Sequence, residues 1–314
     1  MSVPFMTQFY KNPAWIDPQL LRDIPPDEVS PLLLQQITDG IRALQHGRPV
    51  VSVVIPVLNE ETAILRTLHT LSQNKTSFSV EIVVVNNNST DRTQEILDRI
   101  GVKSVFQPKP GWGPARQLGQ EAARGKYILM ADADCFYPPG WIQRMTTQLQ
   151  QEGVTFVYGN YKFLASRDRS RIKYALYELL RNIIAEVRDI RRPWLNARGM
   201  SMGYVRELGL KVGFVDRKIR GEDGRMCYEL AQLGRIVRLR SSDVVVWTFP
   251  RTLERDGSLV HAIANRVLIE LVRFRSYFRK EIAHDTHTSE NSKLPTLKYF
   301  RRKKLMNDER EVVE

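Results

Sequence analysis

The chain has 314 residues, a formal net charge of +12 and a hydrophobic content of 42%. This length can bury a sizeable core, and this hydrophobic share is that of an ordinary globular protein. No apolar run approaches the roughly 18 residues of a membrane-spanning helix, and residues 1–15 lack the pattern of a signal peptide. Two cysteines are too few for a disulfide framework or a cysteine-ligated zinc site. A cytoplasmic protein is therefore expected, and the positive charge indicates an anionic partner: a phosphorylated substrate, a phospholipid surface or nucleic acid.

Composition divides the chain into three stretches. Residues 1–49 are rich in proline and contain one helical pattern, for which Ser30 is the expected N-cap, and we interpret them as an N-terminal extension. Residues 50–255 are predicted to form the main domain. Residues 256–314 are predicted to form an amphipathic helix followed by a basic, partly disordered tail.

Strand and helix patterns alternate through the first part of the main domain. Apolar runs of strand length begin at Val50, Val80, Ser104 and Lys126, and a helical pattern follows each of them. The predicted helices are residues 60–73, 91–100, 114–124 and 140–151. Such repetition predicts an α/β fold with a mostly parallel sheet flanked by helices.

The pattern is less regular after Gly153. Residues 154–165 are predicted as one strand and residues 170–190 as a long helix, whereas residues 191–203 are irregular. We expect the apolar stripe of the long helix to face the core, although a membrane-facing position stays open. The stripe comprises Ile172, Leu176, Leu179, Leu180, Ile183, Ile184 and Val187.

An acidic pair, Asp132 and Asp134, follows the apolar run of residues 127–131. Such a run is typical of a strand that is buried on both faces, and parallel sheets bind ligands beyond the carboxyl ends of their strands. Two carboxylates one residue apart suit Mg²⁺ or Mn²⁺, which in turn hold phosphates. An isolated Asp-x-Asp is also compatible with an ordinary turn, so its neighbours must decide.

Two further loops place polar groups beyond successive strands. Residues 86–91 (NNNSTD) begin one helix, and residues 107–116 (QPKPGWGPAR) bring Arg116 onto the next. Because parallel strands end at the same edge of a sheet, these groups are expected to converge with the acidic pair. Glu222 and Asp223 open a later helix, where a carboxylate could serve as a general base or simply complement the helix dipole.

Together these motifs resemble family 2 glycosyltransferases, which are inverting nucleotide-sugar enzymes with the GT-A fold. The resemblance covers about residues 50–255 and implies a nucleotide-binding, Rossmann-like half followed by an acceptor half. The motifs that carry it, in order, are VSVVIPVLNEE at 51–61, VVVNNNSTD at 83–91, GPARQLGQEAARG at 113–125, DAD at 132–134 and GED at 221–223.

The resemblance also implies roles for individual residues. The nucleotide-binding positions that it implies are Pro56, Asn59, Glu60, Asn87, Arg116 and Asp132. Mn²⁺ or Mg²⁺ would be held by Asp134 together with Asp132. Asp223 would be the catalytic base, and Glu222 would orient it or contact the acceptor.

Some residues depart from the family pattern. Asn87 stands where the family usually has an acid, so a UDP-sugar is the first choice of donor, with GDP- and dTDP-sugars open. Arg198 makes the acceptor loop basic, which favours an anionic acceptor. Trp194, Arg251 and Arg255 are further candidates for contacts with the acceptor or the diphosphate, although a structural role is equally open.

The predicted function is therefore transfer of a sugar to a hydroxyl of a glycan or lipid-linked acceptor by single displacement. We expect this at the inner face of the cytoplasmic membrane, with basic amphipathic helices on anionic lipid. A nucleotidyltransferase of similar fold and a non-catalytic relative that binds nucleotides or polyanions stay open. No nucleic-acid partner is expected, because the sequence shows neither basic and aromatic residues interleaved on one face nor a recognised nucleic-acid-binding module. Whether His261, His284 or His287 joins the metal site is left open, as is the oligomeric state.

Overall fold

Alternating strands and helices build a seven-stranded sheet in a computed structural model that describes residues 11–165, 171–215 and 221–251, together with Leu268. The predicted C-terminal helix and tail lie outside the described residues, as do Arg255, His261, His284 and His287. The strands are β1 (Val51–Val57), β2 (Val80–Asn86), β3 (Ser104–Phe106), β4 (Tyr127–Met130), β5 (Cys135–Phe136), β6 (Val154–Tyr158), β7 (Tyr161–Phe163), β8 (Met202–Val205), β9 (Arg235–Arg238) and β10 (Val246–Thr248).

Seven of the eight α-helices among the described residues confirm predicted elements, with boundaries that differ by a few residues, whereas the helix at 206–212 was not predicted. They are α1 (Pro31–Leu44), α2 (Ile64–Ser72), α3 (Thr93–Ile100), α4 (Trp112–Ala122), α5 (Trp141–Leu149), α6 (Ile172–Arg191), α7 (Arg206–Val212) and α8 (Glu222–Ala231). Helix α1 begins as expected, because the Ser30 hydroxyl accepts a hydrogen bond from the Leu33 backbone N–H at 3.2 Å.

The large sheet has the strand order β3-β2-β1-β4-β8-β6-β9. Strands β3, β2, β1 and β4 pair in parallel, and β8 is antiparallel to both of its neighbours. A small second sheet has the order β5-β10-β7. The predicted mostly parallel α/β sheet is thus confirmed, and its parallel half collects the loops that follow β1, β2 and β4 at one edge.

The core lies on both faces of the sheet. Val53 and Ile55 of β1 belong to one hydrophobic cluster, whereas Val54 between them belongs to a second. All seven residues of β1 are buried, which explains why its sequence does not alternate and is apolar apart from Ser52, whose hydroxyl donates to Glu81. The N-terminal stretch contributes Ile16 and Leu20 to the same cluster as β1.

Three predictions for the second half of the domain are wrong. Residues 154–165 form two strands in different sheets, because the chain turns at Gly159, where a Cβ would lie 2.5 Å from the Ser201 hydroxyl. The irregular segment 191–203 leads directly into β8, which was not predicted. The apolar stripe of α6 faces outward instead of toward the core, with Leu176 56% exposed. Within the described ranges, no helix is both long and apolar enough to cross a bilayer.

Candidate functional site

The loops after β1 and β2 are joined by hydrogen bonds at the carboxyl edge of the sheet. The Asn59 side-chain oxygen accepts from the Thr90 backbone N–H at 2.8 Å, and the Asn59 backbone N–H donates to the Ser89 hydroxyl at 3.1 Å. The Glu60 backbone N–H donates to the Thr93 hydroxyl at 3.0 Å. Asn59 adopts a left-handed conformation with a φ of 54°, which an asparagine tolerates better than most residues. These bonds fix the backbone of the predicted nucleoside loop before any ligand binds, and Pro56 lies buried in β1 just before it.

Asn87 links the second loop to the third. Its side chain is almost fully buried, and its oxygen accepts from the Gly111 backbone N–H at 3.1 Å. Because a backbone N–H can only donate, the Asn87 side-chain atom that faces Gly111 is the oxygen and not the nitrogen. The Asn87 amide nitrogen is buried and has no hydrogen-bond partner among the described residues. This side chain therefore retains an unused hydrogen-bond donor.

The acidic pair forms the one group of metal-ligating side chains found in the described part of the chain. Ligand atoms of Asp132, Asp134 and Cys135 all lie within 4.8 Å of one another. The Asp132 backbone N–H donates to the Tyr137 hydroxyl at 2.8 Å, which fixes the strand end. Burial raises the pKa of the Cys135 thiol well above its ordinary value, so this residue stays protonated and is a poor ligand. The two half-buried carboxylates remain as oxygen ligands suited to Mn²⁺ or Mg²⁺.

The electrostatics of Asp132 favour a bound cation. Burial, together with the negative charges of Asp134, Asp223 and Glu60, raises its pKa to about 7 against the opposing effect of Arg116. Burial also raises the pKa of Glu60, although Arg251 acts to lower it. A divalent cation would relieve this crowding of negative charge, so the residues present fit a metal site.

Arg251 already supplies a positive charge beside Asp134 and Glu60. Its guanidinium donates to Asp134 at 2.5 Å and to Glu60 at 3.1 Å. Burial acts to lower the pKa of Arg251, but the charges of Asp134 and Glu60 raise it overall. The predicted diphosphate contact is thus beside the predicted metal ligand.

Asp223 is close enough to Asp132 for its charge to act on that residue, and both of its oxygens have contacts. We call the region that contains these acidic side chains, Arg116 and Arg251 the cleft. Arg116 Nη1 lies 2.5 Å from Asp223 Oδ1, and the Gly199 backbone N–H donates to Oδ2 at 2.9 Å. A Cβ on Gly199 would lie 2.1 Å from Arg116 Nη2, so only glycine leaves room for the guanidinium. The charge of Arg116 also acts on Asp132, which places this arginine between the two predicted acidic sites. The sequence did not identify Gly199.

Glu222 holds a backbone segment and pairs with Arg225. It is buried, and its Oε1 accepts from the Val215 backbone N–H at 2.9 Å and lies 3.2 Å from Arg225 Nη2. Arg225 also donates to the Gly213 carbonyl. These contacts are those of a residue that positions the start of α8. Arg225 was missed, although its spacing of three residues from Glu222 on a helix was a usable signal.

The two residues predicted for the acceptor region lie between α6 and β8. Trp194 is buried and packs edge-on against Tyr228, with ring centroids 4.9 Å apart. The Arg198 guanidinium donates to the carbonyls of Leu195 and Ala197 at 3.0 and 2.8 Å. Their proposed contacts with a ligand remain predictions.

Comparison with known proteins supports the assignment of the fold. Residues 52–204 match the glycosyl transferase family 2 model. EpsJ of Bacillus subtilis, an uncharacterized glycosyltransferase, is 31% identical over 125 residues, which are 38% of this chain and 36% of EpsJ. The glycosyltransferase AglE of Haloferax volcanii is 32% identical over 122 residues, which are 37% of this chain and 40% of AglE. The aligned part is thus less than half the length of either relative.

A solved structure extends the likeness beyond the matched segment. The mannosyltransferase PcManGT from Pyrobaculum calidifontis, solved in complex with GDP-Man and Mn²⁺, superposes with a TM-score of 0.52 at 21% identity. The superposition covers 79% of this chain and 72% of PcManGT. At this identity the likeness establishes the fold, which is of the GT-A type. The family model is matched over β1, β2, β4 and the loops that follow them, so residues 52–204 belong to glycosyl transferase family 2.

Proposed function

We propose that the protein is an inverting glycosyltransferase that moves a sugar from a nucleotide-sugar to an acceptor hydroxyl. The observation that carries this proposal is the arrangement of Asp132 and Asp223 around Arg116 at the carboxyl edge of the sheet, with Asp134 beside Asp132. Metal-assisted transfer of a glycosyl group needs carboxylates that hold a cation for the diphosphate and a separate carboxylate that acts as the base. The cleft provides both kinds of group.

The donor would lie across the first three loops. The nucleoside would contact the loop of Pro56, Asn59 and Glu60, and its base would meet the unused amide N–H of Asn87. A donor N–H pairs with a carbonyl, and uracil, thymine and guanine each offer one. We place UDP-sugars first, with GDP- and dTDP-sugars as the alternatives that the experiment below separates.

Asp134 and Asp132 would hold Mn²⁺ or Mg²⁺, and the resident cation would stabilise the negative charge of the departing diphosphate. Arg251 lies where it can pair with the same diphosphate once it leaves Asp134 and Glu60. Arg255, four residues further on, is proposed for the same function.

Asp223 would act as the base in a single displacement. Its carboxylate takes the proton of the acceptor hydroxyl while that oxygen forms a bond to the anomeric carbon. The bond from this carbon to the diphosphate oxygen breaks, and the nucleoside diphosphate leaves with the bonding electrons. Attack opposite the leaving group inverts the anomeric centre. Arg116 and Gly199 keep the carboxylate oriented, and Glu222 fixes the start of the helix that carries it.

We propose a glycan or a lipid-linked acceptor at the inner face of the cytoplasmic membrane. Arg198 and Trp194 lie in the segment that passes from α6 to Gly199, next to the proposed base. The net charge of +12 favours an anionic acceptor or an anionic surface.

The test is thermal stabilisation by UDP-, GDP-, dTDP- and CDP-linked sugars, each with and without Mn²⁺. A ligand that binds the folded chain raises its melting temperature by mass action. We expect one nucleotide class to give a Mn²⁺-dependent shift that Asp134→Ala abolishes. Asp243→Ala, which removes an exposed carboxylate paired with Arg144, is the matched control and should respond like the wild type. Absence of any nucleotide-dependent shift would contradict the proposed donor class.

A further inference from the structure

Helix α6 carries a continuous apolar face that stays exposed among the described residues. Six of the ten exposed large hydrophobic side chains among the described residues lie on this helix. They are Ile172, Leu176, Leu179, Ile183, Val187 and Ile190, which are 44% to 78% exposed. We call this set the α6 stripe. Scattered apolar side chains are normal on a surface, but a contiguous row of this kind marks an interaction site.

The opposite face of α6 is anchored in the protein. Its buried residues include Tyr174, Tyr177 and Ala185, and Arg171 forms a buried ion pair with Glu178 at 2.8 Å. The exposure of the stripe is therefore not a consequence of a loosely attached helix. The helix is held on one side and presents the other.

The stripe runs straight along the helix axis. Ile172 and Ile190 are 18 positions apart, which is five turns at 3.6 residues per turn, so they point in the same direction. The stripe is about 27 Å long at 1.5 Å per residue. A two-helix coiled coil favours a period of 3.5, whose seam drifts around a straight helix. A straight row suits a flat apolar surface.

Charge distinguishes a lipid surface from a second copy of the chain. Lys173 and Arg191 are exposed beside the stripe, and Glu186 at its other border is paired with Arg238 and Arg240, each at 2.9 Å. The acidic residues of α6 are thus paired with arginines, and none is left to repel an anionic surface. Two copies of a chain with a net charge of +12 repel each other, whereas an anionic bilayer attracts both the stripe's basic flank and the chain as a whole.

We propose that the α6 stripe is the surface by which the protein lies on an anionic lipid bilayer. The apolar side chains enter the boundary between headgroups and acyl chains, and the basic flank stays among the headgroups. The stripe ends at Ile190, and nine residues later Gly199 donates to Asp223. The docked helix thus leads the chain from the bilayer to the proposed base, where a lipid-linked acceptor is needed. This link to the acceptor rests on the proposed function, but the docking surface itself does not.

The test is co-sedimentation of the full chain with vesicles of phosphatidylcholine containing about a quarter phosphatidylglycerol, compared with phosphatidylcholine alone. The variant is Leu179→Gln with Ile183→Gln, at side chains that are 51% and 56% exposed. The matched control is Leu32→Gln with Leu233→Gln, which are 67% and 52% exposed and lie elsewhere. Because all four positions are exposed, the variants are expected to fold.

We expect the wild type and the control to bind the anionic vesicles and the stripe variant to bind about tenfold or more weakly. Equal binding by the stripe variant and the control would overturn the proposal, as would failure of the wild type to bind. A wild-type dimer that the stripe variant converts to a monomer, with no vesicle binding, would show that a second copy covers the stripe and would also overturn it.

The nucleotide-dependent thermal shift, measured on the same samples, separates the two proposals. The stripe variant should keep the shift of the wild type, because its substitutions are on the exposed face of α6 and change none of the proposed donor-binding residues. Vesicle binding without any nucleotide shift would leave the docking surface supported and the proposed donor site contradicted. A nucleotide shift without vesicle binding would support the proposed donor site and contradict the docking surface.

Discussion

Two arginines contact the acidic side chains of the cleft, and they differ in burial. The side chain of Arg116 is 11% exposed and pairs with Asp223, whereas that of Arg251 is 51% exposed and pairs with Asp134 and Glu60. Charges that are screened by water interact weakly, and buried pairs are screened much less. We infer that Arg116 is a fixed part of the site, while Arg251 is a counter-charge that a cation can displace.

The surroundings of the two arginines support this difference. Arg116 emerges from α4, packs over the Phe214 ring at 6.0 Å and fits against Gly199. Arg251 follows the short strand β10, and its contacts with described residues are ion pairs with Glu60 and Asp134. A guanidinium enclosed by backbone and ring cannot leave without disturbing the packing. A guanidinium that is itself half-exposed, like that of Arg251, can leave.

The largest expected effect concerns the partner of the buried arginine. Asp223→Asn keeps the shape of the side chain but removes the charge that takes the acceptor proton, so kcat for sugar transfer should fall by about 100- to 10,000-fold. The nucleotide-dependent thermal shift should persist, because the donor loops are unchanged. Steady-state kinetics with the donor found by thermal shift would measure this.

Asp243→Asn is the control, since it removes an exposed carboxylate paired with Arg144 and should leave kcat unchanged. A loss of less than tenfold in Asp223→Asn would mean that another group takes the proton. The fixed pair of Arg116 and Asp223 would then be structural only.

The second effect is on stability. Arg116→Met leaves Asp223 enclosed without its counter-charge, and we expect the free energy of unfolding to decrease by about 3 kcal/mol. Arg251→Met should change it by less than about 1 kcal/mol, because the Arg251 side chain is half-exposed and water screens its charge. Urea denaturation of both variants measures the difference.

Arg171→Met provides a buried reference away from the cleft. Its pair with Glu178 is more enclosed, with side chains 1% and 5% exposed, so it should destabilise the chain at least as much while leaving the nucleotide-dependent shift intact. Equal destabilisation by Arg116→Met and Arg251→Met would remove the distinction between a fixed and a displaceable arginine.

The donor half of the cleft could be predicted because its signals are local. Asn59, Asn87 and Asp132 each follow a strand within two residues, and parallel pairing of β1 with β2 and β4 brings the strand ends together. Apolar runs therefore located these side chains without knowledge of distant contacts. The roles that the resemblance implies for them remain to be tested.

The acceptor half could not be predicted in the same way, because its contacts join distant parts of the chain. Asp223 meets Arg116 across 107 positions (223 − 116) and Gly199 across 24. Strand β8 is only four residues long, and its neighbours in the sheet, β4 and β6, come much earlier in the chain. The α6 stripe has the same period whether it faces a core or the outside, so periodicity alone could not choose between them.

The third prediction concerns the pH dependence of metal binding. The pKa of Asp132 is raised to about 7, so a cation must displace a proton from this carboxyl at lower pH. The apparent association constant for Mn²⁺ should therefore decrease by up to about tenfold for each pH unit below 7. Because the folded pKa exceeds the unfolded value of about 4, stability of the metal-free chain should also decrease as pH rises from about 4 to 7.

Calorimetric titration with Mn²⁺ at pH values from about 5.5 to about 8, in steps of about half a unit, would measure this dependence. Asp132→Asn is the control, since it holds no displaceable proton there and its weaker affinity should be nearly independent of pH. If the affinity of the wild type for Mn²⁺ does not change across this range, Mn²⁺ does not displace a proton from Asp132.

The smallest effect concerns the exposed arginine. Arg251→Gln removes the charge that competes with a cation for Asp134 and Glu60, so Mn²⁺ should bind the nucleotide-free variant about three- to tenfold more tightly than the wild type. Arg240→Gln is a close match, because Arg240 is 60% exposed and also pairs with two carboxylates, Glu186 and Asp189. It should leave Mn²⁺ affinity unchanged, since those carboxylates lie outside the cleft. A lower affinity in Arg251→Gln would mean that this arginine holds the acidic loop in its binding geometry, and Arg251 would then belong, like Arg116, to the fixed part of the site.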